Sequence, residues 1–175
     1  MPWEEHREVL ARARLLALDV DGVLTDGRVV YVGSEELQAF HVLDGQGLRW
    51  LQRAGVEVTW ITGRGCAATA KRAAELGVDE LHMAAGNKRD VLAGVQARLG
   101  VSPRETVAVG DDAPDLALAA GAALFACPPG ASAELRARAA VVTEAAGGAG
   151  CVREVAEAIL RAKGVWGEIT GFGAP

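Results

Sequence analysis

The sequence predicts an α/β protein with a Rossmann-like, three-layer fold, in which a parallel sheet lies between two layers of helices. The first observation is that short apolar runs, such as "RLLALD" at 14–19 and "TVAVG" at 106–110, alternate with segments of helical periodicity. The second is that polar residues follow several of these runs directly, as they do at the carboxyl edge of a parallel sheet. The third is the length of 175 residues, half of them apolar, which suits a single domain over 1–175.

The sequence pattern of the first part of the chain predicts a strand followed by a hairpin. A helical lead-in over about 3–13 precedes the buried strand at 14–19. The segment "RVVYVGSEELQAFHV" alternates apolar and polar residues around "SEE", which predicts a β-hairpin extension within 26–43, directly after the first strand. "GLRWLQRAG" at 47–55 has helical spacing and ends in a glycine, and "VEVTWIT" follows as the next strand.

The remainder repeats the pairing of helix and strand. Apolar runs of strand length alternate with runs of helical spacing, which extends the parallel sheet. The predicted strands lie at 79–83, 106–110, 123–127 and 139–143, and the predicted helices at 65–76, 88–99, 113–120 and 151–162. The glycine-rich tail at 164–175 is expected to be flexible unless it docks on another surface.

Composition excludes several classes of protein. The formal net charge of −5 argues against a nucleic-acid partner. Cys66, Cys127 and Cys151 form no CxxC pair, which argues against a disulfide framework or a zinc site. No apolar run approaches the ~20 residues that cross a bilayer, and the polar start "MPWEEHREVL" does not read as a secretory signal. We therefore expect a cytoplasmic protein with no membrane partner.

Polar side chains are expected to meet at one edge of the predicted sheet, where ligands bind in open α/β folds. Each of four strands, or the segment that follows it, delivers chemistry-bearing residues to this edge. They are Asp19 and Asp21 after the first strand, Thr62, Gly63 and Arg64 after the second, Lys88 after the third, and Asp111, Asp112 and Asp115 after the fourth.

Electrostatics then favours a metal ion at this edge. Two carboxylates ~4 Å apart repel by roughly 4 kcal/mol at an effective dielectric constant of ~20, and a third acid increases the repulsion. A divalent cation relieves it, and an all-oxygen donor set favours Mg²⁺, which commonly shares its shell with a phosphate. Lys88 and the Thr62 hydroxyl would bind the remaining phosphoryl oxygens.

The spacing of Asp19 and Asp21 suggests covalent chemistry. In extended backbone, residues two apart point to the same side. One carboxylate can then attack phosphorus to give an aspartyl-phosphate, while Asp21 protonates the leaving alkoxide and afterwards activates water.

The motifs resemble those of a known superfamily over essentially the whole chain. "DVDGVLTDG", "TGR", the lone Lys88 and "GDDAPD" resemble, in order and spacing, the four motifs of the haloacid dehalogenase superfamily. Within it, the hairpin, "HVLDGQGLRWL", "GNK" and "GGAGCVREVAEAILRAKGVW" are similar to the capless sugar-acid phosphatases.

This resemblance implies a function, a cofactor and an assembly. It implies a Mg²⁺-dependent phosphomonoesterase without a cap domain, acting through an aspartyl-phosphate on a small phosphorylated sugar acid of the 3-deoxy-D-manno-octulosonate 8-phosphate type, in lipopolysaccharide biosynthesis. It also implies a ring-shaped homotetramer, in which the hairpins form a central barrel and the tail of one subunit can close a neighbour's site.

The resemblance also assigns roles to individual residues. Asp19 is the expected nucleophile and Asp21 the general acid and base, with its backbone carbonyl on the metal. Thr62 and Lys88 hold the phosphoryl group, Asp111 ligates Mg²⁺ with the support of Asp112 and Asp115, and Gly63, Arg64 and Arg72 are candidates for binding substrate. Family members commonly carry an arginine where this chain has Ala149, so the identity of the sugar stays open.

Three alternatives stand beside this interpretation. The chain could be a non-catalytic oligomeric scaffold of the same fold, or a phosphatase for a different small sugar phosphate. A phospho-receiver domain uses similar residues, but its phosphorylated aspartate follows the third strand. Here the third strand continues into "LHMAAG", which contains no aspartate, and this disfavours the receiver.

Overall fold

A six-stranded parallel sheet with β1 (Leu15–Leu18) near its centre organises the protein, whose computed structural model describes residues 2–172. The strand order is β5-β4-β1-β6-β7-β8, and every pairing within this sheet is parallel. The remaining strands are β2 (Val30–Val32), β3 (Glu35–Leu37), β4 (Glu57–Ile61), β5 (Glu80–His82), β6 (Thr106–Val109), β7 (Leu124–Cys127) and β8 (Val141–Val142). The predicted fold class is confirmed.

Helices cover both faces of this sheet. They are α1 (Arg7–Arg12), α2 (Val42–Arg53), α3 (Ala67–Leu76), α4 (Lys88–Leu99), α5 (Leu116–Ala119), α6 (Ala133–Arg136), α7 (Cys151–Ala162) and α8 (Trp166–Thr170), with short 3₁₀ turns at Glu4–His6, Pro103–Glu105 and Ala113–Asp115. Within residues 2–172 we find no helix long and apolar enough to span a bilayer.

The core divides by strand alternation into one cluster on each face. In β1, Leu16 and Leu18 pack into the cluster that also receives α2 and α7, while Leu15 and Ala17 pack into the cluster beneath α4 and α5. All four side chains are fully buried. A strand covered on both faces reads as a continuous apolar run, which is why "LLAL" lacks polar alternation.

Helix α2 starts earlier than the sequence predicted. It begins at Val42 rather than at 47, and it runs through Gly45 and Gly47, residues that disfavour a helix interior. Here packing overrides propensity, because a Cβ at Gly45 would press on the guanidinium of Arg72 and one at Gly47 would press on Arg153 of α7. The two glycines let α2 lie close to its neighbours.

The hairpin and the tail differ in extent from their predicted ranges. Strands β2 and β3 pair antiparallel over 30–37, inside the predicted 26–43, and they form a separate two-stranded sheet. Part of the tail is helical, because the Trp166 ring of α8 packs edge-on against Trp50 with centroids 5.5 Å apart. The rest of the predicted tail, 173–175, lies outside the described residues.

A glycine pair locks the loop before α7 onto the turn that follows β1. A Cβ at Gly147 would overlap the carbonyl group of Gly22, and one at Gly148 would overlap backbone atoms of Thr25 and Asp26. The Gly148 amide donates to the Val23 carbonyl at 3.0 Å. The turn after β1 is therefore held from outside by backbone that tolerates no side chain.

Gly147→Ala should displace this turn, because the added methyl meets backbone rather than a flexible side chain. We expect the free energy of unfolding to fall by about 1–3 kcal/mol, measured by urea denaturation. Gly130→Ala is the matched control, since a Cβ there meets nothing within 4 Å. Equal stability of the two variants would contradict the packing described here.

Candidate active site

The polar residues predicted to converge do so around one cavity at the carboxyl edge of the sheet. The cavity has a volume of about 290 Å³ and lies beyond the ends of β1, β4 and β6, where the strand order reverses. Its lining includes all nine residues named after the four strands: Asp19, Asp21, Thr62, Gly63, Arg64, Lys88, Asp111, Asp112 and Asp115.

Backbone hydrogen bonds place the first two of these side chains. The Asp19 amide donates to the Val109 carbonyl at 3.0 Å, which ties the end of β1 to β6. The chain then leaves the strand and turns, so that Asp21 is not in extended backbone as the sequence suggested. Both side chains nevertheless line the cavity.

Three carboxylates form a tight acidic cluster at the bottom of the cavity. One oxygen from each of Asp19, Asp111 and Asp115 lies within 4.8 Å of the other two. Two glycines allow this approach, because a Cβ at Gly22 would overlap the Asp111 carboxylate and one at Gly110 would overlap the Asp115 side chain. The glycines in "DVDG" and "VGDD" are thus required by the crowding of the acids.

Lys88 is the cation of this cluster. Its Nζ donates to Asp19 Oδ1 and to Asp115 Oδ1, both at 2.6 Å, and all three side chains are buried. Burial opposes the charge on Lys88, but the adjoining carboxylates of Asp19 and Asp115 prevail and raise its pKa above the usual value. One positive charge cannot balance three carboxylates, so the ionised cluster would have a net negative charge that a bound cation could neutralise.

The pKa values of two of the acids are raised, as expected where negative charge is not fully compensated. Burial, followed by the charge of Asp115, raises the pKa of Asp19 to about 7. Burial, followed by the charges of Asp115 and Asp112, raises the pKa of Asp111 to about 6. In the absence of a cation, Asp19 is therefore half protonated near pH 7 and Asp111 near pH 6, well above the pH at which a free aspartate ionises.

Asp115 and Asp112 occupy different environments, although the sequence grouped them as supporting residues. Asp115 is buried, and its Oδ2 accepts the Asp111 amide at 2.9 Å and the Asp112 amide at 3.3 Å. Asp115 therefore fixes the loop that carries Asp111. Asp112 is exposed at the rim and lies outside the three-acid cluster.

Asp21 stands at the mouth of the cavity and contacts the hairpin. Its Oδ1 accepts Gln38 Nε2 at 3.0 Å, and its Oδ2 lies 3.5 Å from Thr62 Oγ1 and 3.7 Å from Arg64 Nε. Arg64 pairs more closely with Glu36 of β3, at 2.7 Å. Sequence reasoning missed Gln38 and Glu36, because nothing in a short exposed strand indicates which side chains fold back over the site.

Arg72 is the one candidate residue that the structure does not bring to the cavity. Its guanidinium pairs with Glu75 at 3.3 Å and packs beside Gly45 of α2. Because α3 points this side chain toward α2, Arg72 is not among the cavity residues within the described part of the chain. A role for Arg72 in binding substrate stays a prediction.

The acidic cluster fits a magnesium ion. The donors are all carboxylate oxygens that lie close enough to share one ion, and the raised pKa values of Asp19 and Asp111 show that these two acids lack compensating charge. Hard oxygen ligands of this kind suit Mg²⁺ better than softer metals. Asp19 and Asp111 are the side chains that would hold the ion, and Asp115 fixes the loop that carries Asp111.

Comparison with solved structures identifies the class of protein. A hydrolase from Legionella pneumophila, assigned to the haloacid dehalogenase superfamily (subfamily III A), superposes with a TM-score of 0.92 at 34% identity, covering 96% of this chain and 92% of that one. A scan against models of protein families gave no match. The fold, the acidic cluster and the lysine together indicate a hydrolase of that superfamily.

Two further relatives identify the family. The 3-deoxy-D-manno-octulosonate 8-phosphate phosphatase KdsC of Escherichia coli (strain K12) is 40% identical over 169 residues, which cover 94% of this chain and 89% of the relative. The crystal structure of the Moraxella catarrhalis phosphatase of the same name, in complex with a magnesium ion, a phosphate ion and KDO, superposes with a TM-score of 0.92 at 34% identity, covering 96% and 97% of the two chains. The chain belongs to the family of 3-deoxy-D-manno-octulosonate 8-phosphate phosphatases.

Binding of Mg²⁺ should stabilise the protein in a pH-dependent way. The pKa values of Asp19 and Asp111 lie above the 3.8 of a free aspartate, so in metal-free protein these groups lower the free energy of unfolding as pH rises from about 4 to about 7. Mg²⁺ competes with these protons and reverses that loss. At about 100 times its Kd it should add about 2.7 kcal/mol near pH 8 and much less near pH 5.

Thermal denaturation with and without Mg²⁺ at the two pH values measures this effect. Asp111→Asn removes one carboxylate of the cluster and should abolish the Mg²⁺-dependent rise in Tm at both pH values. An equal rise in wild type and variant would show that Mg²⁺ binds elsewhere.

Proposed function

We propose that this protein is a Mg²⁺-dependent phosphomonoesterase that hydrolyses 3-deoxy-D-manno-octulosonate 8-phosphate through an aspartyl-phosphate intermediate. The observation that carries the proposal is the position of Asp19, which Lys88 holds at 2.6 Å beside Asp111 and Asp115 at the end of β1. The family to which the chain belongs supports the choice of substrate.

Asp19 is the proposed nucleophile. Lys88 fixes the carboxylate through Oδ1, so Oδ2 attacks phosphorus: a bond forms between Oδ2 and phosphorus, and the ester bond between phosphorus and the sugar oxygen breaks. Lys88 also lies where its ammonium group can attract the phosphoryl oxygens. A bound Mg²⁺ would neutralise the charge of the transferring phosphoryl group and of the carboxylates around it.

Asp21 is the proposed general acid and base. It lines the same cavity as Asp19 but lies outside the buried acidic cluster, with about a fifth of its side chain (22%) exposed. In the first step it gives its proton to the departing sugar oxygen. In the second it takes a proton from the water that attacks phosphorus, which releases phosphate and restores Asp19.

The remaining cavity residues are proposed to hold the substrate. Thr62 is buried at the end of β4, and its Oγ1 accepts the Arg64 amide at 3.1 Å, which directs the hydroxyl toward the cavity. Gly63 and Arg64 lie at the rim, where Arg64 offers a positive charge to a sugar carboxylate.

The complete catalytic set and the phosphatase relatives favour an enzyme over the non-catalytic scaffold.

We further propose a homotetramer in the cytoplasm. Apolar side chains of the hairpin are exposed, among them Tyr31 at 66% and Val32 at 61%. An isolated two-stranded hairpin is marginally stable, and burial against other copies in a central barrel would cover this apolar surface. Three free, buried cysteines are compatible with a reducing compartment.

Replacement of the nucleophile tests the proposed reaction. Asp19→Asn keeps the size of the side chain and removes the attacking carboxylate, so hydrolysis of 3-deoxy-D-manno-octulosonate 8-phosphate should fall by at least about 10⁴-fold. Release of phosphate is the measurement, and chelation of Mg²⁺ by EDTA should abolish it in wild type. Asp79→Asn, at an exposed site outside the cavity, is the control. Wild-type rates from Asp19→Asn would refute the assignment.

Light scattering tests the assembly. Wild type should have about four times the chain mass of 18.1 kDa. A double variant with Val30→Glu and Val32→Glu places charges on the exposed hairpin and should dissociate the tetramer, whereas Lys71→Glu on α3 should not. A monomeric wild type would contradict the proposal.

A further inference from the structure

We propose that Gln38 is a positioning residue for Asp21, and that Thr69 orients Gln38. This inference rests on the proposed role of Asp21 as general acid and base. It assigns to the hairpin a part in the chemistry of its own subunit, in addition to its proposed part in assembly.

The three side chains form a hydrogen-bonded chain across three elements. Gln38 directly follows β3. Its Oε1 accepts a hydrogen bond from Thr69 Oγ1 of α3 at 2.6 Å, and its Nε2 donates to Asp21 Oδ1 at 3.0 Å. Thr69 is buried, Gln38 is half-buried, and Asp21 faces the cavity. The buried Thr69 hydroxyl is thus linked to the Asp21 carboxyl group through the side-chain amide of Gln38.

The chemistry of the three groups fixes the direction of this chain. Asp21 Oδ1 accepts a hydrogen bond both when the group is ionised and when its acid proton is on Oδ2, so Gln38 presents its NH₂ group to Oδ1. The amide oxygen then faces α3, where only a donor can satisfy it, and the Thr69 hydroxyl supplies one. A reversed amide would set two oxygens against each other at the Asp21 end. Gln38 therefore has one favourable orientation.

Gln38 makes the shortest side-chain hydrogen bond to Asp21 among the described residues. Thr62 Oγ1 is 3.5 Å from Oδ2, and Arg64 Nε is 3.7 Å away because Glu36 draws the guanidinium toward the hairpin. Neither contact constrains rotation of the carboxylate as closely as the 3.0 Å bond to Oδ1. The orientation of Asp21 depends chiefly on Gln38.

If Gln38 orients the general acid, the loss of rate when Gln38 is replaced should depend on the leaving group. A sugar alkoxide must receive a proton as it departs, whereas p-nitrophenolate departs without one. Misplacing Asp21 should therefore slow phosphorylation of Asp19 by a sugar phosphate and leave phosphorylation by p-nitrophenyl phosphate nearly unchanged. A general disturbance of the cavity would slow both.

Single-turnover kinetics with excess Mg²⁺-loaded enzyme measures that first step for both substrates. Gln38→Leu keeps the volume of the side chain but removes the amide. It should slow release of the sugar from 3-deoxy-D-manno-octulosonate 8-phosphate by about tenfold to a hundredfold, and release of p-nitrophenolate by less than about threefold. Gln52→Leu is the matched control, because it removes a glutamine that donates to the Gly77 carbonyl, away from the cavity.

Two variants of Thr69 separate orientation from packing. Thr69→Val removes the hydroxyl at nearly constant volume and should reproduce the selective loss in weaker form, whereas Thr69→Ser keeps the hydroxyl and should retain most of the activity. Equal slowing of both substrates in Gln38→Leu, or no slowing, would overturn the positioning role alone. Failure of wild type to hydrolyse either substrate would overturn the proposed function and this inference with it.

Discussion

Repulsion among closely spaced carboxylates is the constraint on which this site depends. Asp19, Asp111 and Asp115 come from two loops far apart in sequence, and their oxygens lie within 4.8 Å of one another. A pair of charges at such distances costs roughly 4 kcal/mol at an effective dielectric constant of ~20. Lys88 offsets part of this cost through two bonds of 2.6 Å. The repulsion that remains favours the binding of a divalent cation.

The fold opposes this repulsion with a rigid frame. The acids project from the ends of β1 and β6, neighbouring strands of the sheet, and Lys88 begins a twelve-residue helix on one face. Gly22 and Gly110 remove the side chains that would separate the acids, and Gly147 presses the turn after β1 into place from outside. The strand ends, the glycines and Lys88 together hold the three acids close to one another.

Much of this arrangement could be predicted from the sequence, because it follows from local patterns. Apolar runs define β1, β4 and β6, and polar residues after such runs must meet at one edge of a parallel sheet. Side chains whose positions depend on tertiary packing could not be predicted. Gln38 reaches Asp21 only because the hairpin folds back over the cavity, and Arg72 turns toward Gly45 of α2. The sequence of the tail likewise gives no sign that Trp166 packs against Trp50, because that contact depends on where α2 lies in the fold.

Calorimetric titration of the protein with Mg²⁺ in buffers of different ionisation enthalpy tests the electrostatic account most directly. Because the pKa values of Asp19 and Asp111 are raised to about 7 and about 6, binding near pH 6.5 should release about one proton per ion. The observed enthalpy should then change with the buffer, and the change should diminish in Asp111→Asn. A binding enthalpy that is the same in every buffer would mean that the acids are already ionised without the metal, and it would contradict the account.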